Sequence, residues 1–259
     1  MSSYLKSEFY RILHYKWTYL FIGICSVLLV SSNILLAVVG ASEATFRYAN
    51  TSFALYTFIS NIGMVFIISV SVASLIFGNE HVNHTMKNSI SYGTTRGTIY
   101  FCKLIVEIVY AIIAFVIITA LYVLSAYLLL EHSNLNEFYE LLRTCFVSLP
   151  LLLFALAATN CFVFIIESTG AATAAVIGFL LAFPMICTQL GNKFKFFQIL
   201  AEHLPFNMIN NIKLDFNTHS IILPWEGNTG YLNYWIYGLL QMAIIMMIGY
   251  IVFRKKEIK

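Results

Sequence analysis

Six apolar runs, each about as long as a membrane-crossing helix, constrain this chain more than any other feature. About 20 predominantly apolar residues at 1.5 Å per residue cross a hydrocarbon core roughly 30 Å thick. Runs of that kind fall at approximately 17–39, 53–77, 104–130, 141–166, 171–190 and 233–253. Composition agrees. Of 259 residues, 60% are apolar and 10% charged, against roughly a quarter charged in a soluble domain, so too few polar side chains exist to cover a water-facing exterior. The prediction is an all-α membrane protein, one transmembrane domain over 1–259 with six helices. Pro150 predicts a kink or a later start in the fourth helix. Glu167, Ser168, Thr169 and Gly170 leave room for only a tight hairpin between the fourth and fifth.

Lysine and arginine set the expected orientation. With the amino terminus inside, ten face the cytoplasm (Lys6, Arg11, Lys16, Lys87, Arg96, Lys103, Arg254, Lys255, Lys256, Lys259) and five face outward (Arg47, Arg143, Lys193, Lys195, Lys213). Both termini are therefore predicted to be cytoplasmic. Over 1–16, Leu5, Phe9, Ile12, Leu13 and Lys16 recur at helical spacing, with Lys6, Glu8, Arg11 and His14 elsewhere on the wheel. This predicts an amphipathic helix lying in the membrane interface, the alternative being a helical extension of the first span. The inner connection 78–103 is polar and interrupted at Tyr92-Gly93-Thr94. The last outer connection, 191–232, carries Phe194, Phe196, Phe197, Ile199, Leu200 and Trp225 between the breakers Pro205 and Pro224, which predicts short helices dipping into the outer leaflet. The first apolar run exceeds a signal-peptide core and follows an organised polar segment, so no cleavable leader is expected.

The chain lacks GxxxxGK[ST], HExxH, GxSxG and the kinase signatures, so it is not expected to be an enzyme or to bind a cofactor. Cys25, Cys102, Cys145, Cys161 and Cys187 form no CxxC pair and read as small buried hydrophobes. His81 and His84 have Glu80 beside them but no third ligand at metal spacing and read as a solvated or hydrogen-bonded pair. Asn50 and Asn83 match the glycosylation pattern weakly, the second on the inner face. Glu107 is the single carboxylate within an apolar run. One turn beyond Lys103, it predicts a surface-level ion pair with that lysine, with a contact to another helix or subunit as the alternative. Gly170, Ala174 and Gly178 form a ridge of small residues expected to pack inside the bundle, a subunit interface being the alternative.

The inner connection carries a recognisable pattern: Glu80 after the second span, Thr85 five positions on, the Thr95-Arg96 pair, and Lys103 opening the third helix. This resembles ABC-2 type permeases, the membrane subunits of ATP-binding-cassette exporters. The glycine usual before the threonine is His84 here, which puts the local turn in doubt. The resemblance implies two permease chains, identical or related, on a pair of ATPase subunits that bind ATP and magnesium. It also implies a coupling element through which the ATPases push, carried by Glu80, Thr85, Lys87, Arg96 and Lys103. A cavity between permeases would be lined by the second and fifth spans, here Phe53, Tyr56, Phe58, Asn61, Met64, Phe66, Phe179, Phe183 and Met185. Small permeases of this kind resemble bacitracin- and lantibiotic-immunity exporters, implying a bacterial cell membrane and an antimicrobial or other amphipathic cargo. No nucleic-acid partner is expected. Rival readings are a carrier or channel needing no ATPase, a membrane-embedded enzyme, and a non-transporting sensory subunit.

Overall fold

The structure is a computed structural model describing all residues except 1, 44, 84–88, 134–135, 167, 216–219, 227–229 and 257–259, with the backbone alone for 2, 78–83, 220 and 226. It is an all-α membrane protein: five helices are long and apolar enough to cross a bilayer, six if one bent pair counts as a span.

The order is α1 (Ser2–His14), α2 (Lys16–Ser42), α3 (Thr51–Ser60), α4 (Met64–Asn83), α5 (Arg96–Leu129), α6 (Asn136–Ile165), α7 (Thr169–Gly191), α8 (Lys195–Glu202), α9 (Pro205–Asn210), a two-stranded antiparallel hairpin β1 (Lys213–Asp215) and β2 (Ser220–Ile222), and α10 (Gly230–Lys255). Helix α6 is the axle, packed against α10, α4, α7, α3 and α5. Its stretch Ala155-Leu156-Ala157-Ala158 is wholly buried, because small side chains let neighbouring backbones close in. Helices α2 and α10 turn apolar residues outward, among them Val27, Leu28, Leu35, Leu240 and Met247, as lipid as solvent allows.

Helices α6 and α10 approach closely at two glycines. A methyl at Gly238 would stand 2.7 Å from Pro150 Cβ, and one at Gly249 would stand 2.9 Å from Cys161 Cβ and Sγ and against the Tyr100 hydroxyl. The ridge expected to pack inside the bundle does not. Gly170, Ala174 and Gly178 are exposed, and nothing lies within 4 Å of a methyl built on either glycine. The glycines that let two spans close in on each other are Gly238 and Gly249 of α10.

Four spans depart from the sequence reading. The second is two helices, α3 and α4 to Phe77, bent by 63°. At the break Asn61 turns its amide back to Thr57 O at 2.8 Å, and the turn closes through Met64 N to Asn61 O and Phe66 N to Gly63 O. Asn and Gly hold a helix weakly, so the chain turns there. The third span starts at Arg96 behind the N-cap Thr95, not near 104, and leaves Lys103 two turns inside it. The fourth starts early, at Asn136, and runs on through Pro150. In the fifth, a π-helical segment Gly178–Ala182 precedes Pro184, absorbing the backbone bond that proline cannot donate.

Helix α1 and the last turn of α10 lie at one end of the bundle, called here the α1 end. Helices α8 and α9 and the hairpin strands lie at the other end. There Gln241 Nε2 donates to His203 O at 2.7 Å, and Trp225, expected to dip into lipid, is instead buried against Tyr234. Helix α8 and its N-cap Phe194 turn Phe194, Phe196 and Ile199 outward.

Candidate functional site

At the α1 end, charged side chains reach between helices. Lys103, inside α5, is fully buried, and its Nζ lies 3.3 and 3.4 Å from the two oxygens of Glu8 on α1. Glu8 is buried too, and Arg11 donates to its second oxygen at 2.5 Å. Arg11 also reaches Ile76 O on α4 at 3.4 Å. Two charges leave water only when each is paired and hydrogen-bonded. Here the pairing ties α1, α4 and α5 together. Below the ammonium lies the Phe77 ring, its centroid 5.1 Å away, the first of a packed aromatic floor. Phe77 meets Phe164 at 5.1 Å, and Phe164 meets Phe253 at 4.4 Å.

The pair expected within one turn of α5 is therefore replaced by a pair between helices. Glu107 is not at the surface: it is fully buried, and neither carboxylate oxygen has a hydrogen-bond partner among the described residues. Glu8, which captures Lys103 instead, lies on the buried face of α1 and not among its polar residues. It shares the 3–4 spacing of Leu5 and Ile12, and a lone carboxylate on an apolar stripe is the signal that marks it. Next to it, burial and the Glu8 charge push the Tyr4 hydroxyl well above the ordinary tyrosine range. The corner between α1 and α2 is locked by Thr18, whose hydroxyl donates to Tyr15 O at 2.6 Å and whose carbonyl accepts from Tyr110 at 2.7 Å.

Arg96 makes a second tie. Its Nη1 donates to Phe253 O at 3.1 Å, to Arg254 O at 2.8 Å and to Lys256 O. These are among the carbonyls a helix end leaves unsatisfied, at the negative pole of its dipole. Lys256 in turn donates to Ile165 O at 3.1 Å and Phe164 O at 3.4 Å, capping α6. Arg96 thus couples α5 to α10, and Lys256 couples the carboxyl-terminal tail to α6. Of the other expected coupling residues, Glu80 lies on the last turns of α4 with its side chain outside the described residues; Thr85 and Lys87 lie outside them altogether. The connection arrives at Arg96 through Gly93, whose φ of 85° suits the turn after a short helix.

The expected cavity lining is divided. Phe66, Phe179 and Phe183 do meet, with Phe206, around a cleft of about 10 Å³. Phe58 stacks on Tyr122 at 4.9 Å and Phe53 lies against Tyr48 at 4.8 Å, both above the bend. Tyr56 is half-buried on the same helix. Asn61 sits at the bend itself, exposed, and Met64 and Met185 face outward.

These features define a multi-pass α-helical membrane protein in which charged side chains tie α1 to α4 and α5, α5 to α10, and the carboxyl-terminal tail to α6 at one end. No family model matches the chain, and no curated protein matches its sequence.

Proposed function

We propose that this chain is the permease subunit of an ATP-driven exporter of the ABC-2 type, working in a bacterial cell membrane. In this reading the α1 end is cytoplasmic, α1 lies in the membrane interface, and both termini are inside. Two such chains, identical or related, stand on a pair of ATPase subunits that bind ATP and magnesium. This chain carries no ATPase motif and contributes no catalysis. The observation that most supports the reading is the wiring of the polar connection between α4 and α5. A push there acts on α4, on α5 through Arg96 and Lys103, on α1 through Glu8, on α10 through Arg96, and on α6 through Lys256. A short element so connected moves helices together, as switching between inward- and outward-facing states requires.

The cargo consistent with the apolar second and fifth spans is an antimicrobial or other amphipathic peptide or hydrophobic compound, taken up between paired chains. The test is co-purification with a P-loop ATPase, sought first in the adjacent coding sequence. Glu80→Ala and Lys87→Ala are expected to lower ATPase association and cargo-stimulated hydrolysis while membrane insertion stays normal. Normal association and normal coupled transport in both variants would overturn the reading. Arg96 is a poor probe of this contact, because it also holds the end of α10.

A carrier that needs no ATPase is favoured by one observation, the buried Glu107, whose carboxylate has no hydrogen-bond partner among the described residues. It requires uphill flux from the chain reconstituted alone, and loss of that flux in Glu107→Gln.

A further inference from the structure

At the end of the bundle away from α1, a polar bowl of about 470 Å³ stands between the end of α7, α8 and α9, within the size range of small-molecule sites. Short ties fix its walls. Asn207 Nδ2 donates to Thr188 Oγ1 at 3.0 Å and to Ala201 O at 2.9 Å, joining α9 to α7 and α8. At Gly191 the end of α7 meets the backbone of α8: a methyl there would stand 2.9 Å from Gln198 Cα. The other polar groups of the wall are not used by the fold. Asn192 and Asn211 end α7 and α9 through their backbones. With Asn210 they leave three side-chain amides that make no hydrogen bond among the described residues. Gln198 Nε2 donates to Glu202 Oε1 at 3.2 Å, which leaves Gln198 Oε1 and Glu202 Oε2 to accept. All five of these side chains line the bowl and are exposed, so an occupant reaches them.

The chemistry of the wall selects what fits. An amide offers N–H donors and a carbonyl acceptor together. Among the described residues, Glu202 is the one charged side chain in the lining. A phosphate only accepts, and here it would face a carboxylate. An ammonium only donates, and it would leave the three amide nitrogens without an acceptor. A neutral hydroxyl does both, and an ionised carboxylate is the strongest acceptor it can meet. Depth points to the same kind of guest. Phe196 and Ile199, on the side of α8 opposite Gln198 and Glu202, are exposed. A helix divided in this way lies at the boundary of the bilayer, which puts the bowl at the level of the head groups.

We propose that this bowl binds a neutral sugar, held by the amides of Asn192, Asn210 and Asn211 and by the Glu202 carboxylate. The sugar is either the head group of a glycolipid in the adjoining leaflet or a soluble saccharide. The site depends on neither the permease reading nor the orientation of the chain. The test uses the whole protein in phosphatidylcholine nanodiscs, photolabelled with a glucosyl diacylglycerol that carries a diazirine on its sugar, the adducts mapped by mass spectrometry. The competitors are unlabelled glucosyl diacylglycerol, phosphatidylglycerol and soluble methyl glucoside.

Adducts are expected within 188–211, with glucosyl diacylglycerol displacing the probe at roughly tenfold lower concentration than phosphatidylglycerol, about the worth of one hydrogen bond. Asn192→Leu and Asn210→Leu should each weaken that displacement by a similar factor. Both variants should unfold as the parent does, because these side chains hold nothing in the fold. Glu202→Gln should narrow the preference over phosphatidylglycerol, since the charge that opposes a phosphate is gone. Displacement by methyl glucoside as readily as by the glycolipid supports the site with a soluble sugar as its guest; displacement by the glycolipid alone supports it with a membrane lipid. Equal displacement by phosphatidylglycerol in the parent protein, or adducts unchanged in both leucine variants, means ordinary surrounding lipid and overturns the proposal. So does absence of adducts within 188–211 while the lipid-facing residues of other helices are labelled.

Discussion

Removing Glu8 should damage this protein far more than its place near the amino terminus suggests. Glu8→Gln leaves the Lys103 ammonium fully buried with no anion at 3.3 Å. At that distance and an effective dielectric of about 20, the lost attraction is about 5 kcal/mol, in line with the roughly 3–5 kcal/mol seen when one partner of a buried pair is removed. The Arg11 contact adds little, because Arg11 is 38% exposed and such pairs contribute about 1 kcal/mol or less. Lys103→Met removes the other partner. It also gives up the cation over Phe77, worth about 2 kcal/mol when desolvated, though a thioether against that ring recovers part. The double variant Glu8→Gln/Lys103→Met leaves neither charge and should return to within about 2 kcal/mol of the parent. The assay is a double-mutant cycle in detergent micelles, unfolding followed by helical circular dichroism against denaturing surfactant. A coupling of several kcal/mol is expected. Strict additivity, or a Glu8→Gln loss below about 1 kcal/mol, would refute the pairing.

Other consequences follow from the packing. Gly249→Val should cost about 3 kcal/mol or more in the same assay, because the new atoms meet Cys161 and Tyr100. Gly178→Ala should be neutral or stabilising by up to about 1 kcal/mol in the isolated chain, since nothing opposes it and alanine favours the helix; a loss there would mean that the exposed ridge carries a partner. Arg96→Ala should free the end of α10, read as faster amide exchange over 250–256 with exchange in the middle of α6 unchanged. Ser52→Ala deprives Glu137 of a 2.6 Å donor and should cost about 1–3 kcal/mol, detectable as a lower unfolding midpoint.

The helical, multi-pass character of this chain was legible in the sequence because lipid demands it locally. Every backbone group in hydrocarbon must be satisfied within its own helix, so length and apolarity alone mark α2, α5, α6, α7 and α10. What the neighbours decide was not legible there. The bend at Asn61 depends on how α3 and α4 each find a place against α6. Lys103 turns to Glu8 because α1 folds back over the base of α5, a contact 95 residues apart in sequence that no local spacing encodes. The same holds for Arg96 and Lys256, read as loop and tail charges until helix ends from distant segments came within reach. The two small-residue patterns show the limit most plainly. Gly170, Ala174 and Gly178 have the better spacing, yet Gly238 and Gly249 carry the close contact, because which face of a helix turns inward is set by the bundle around it.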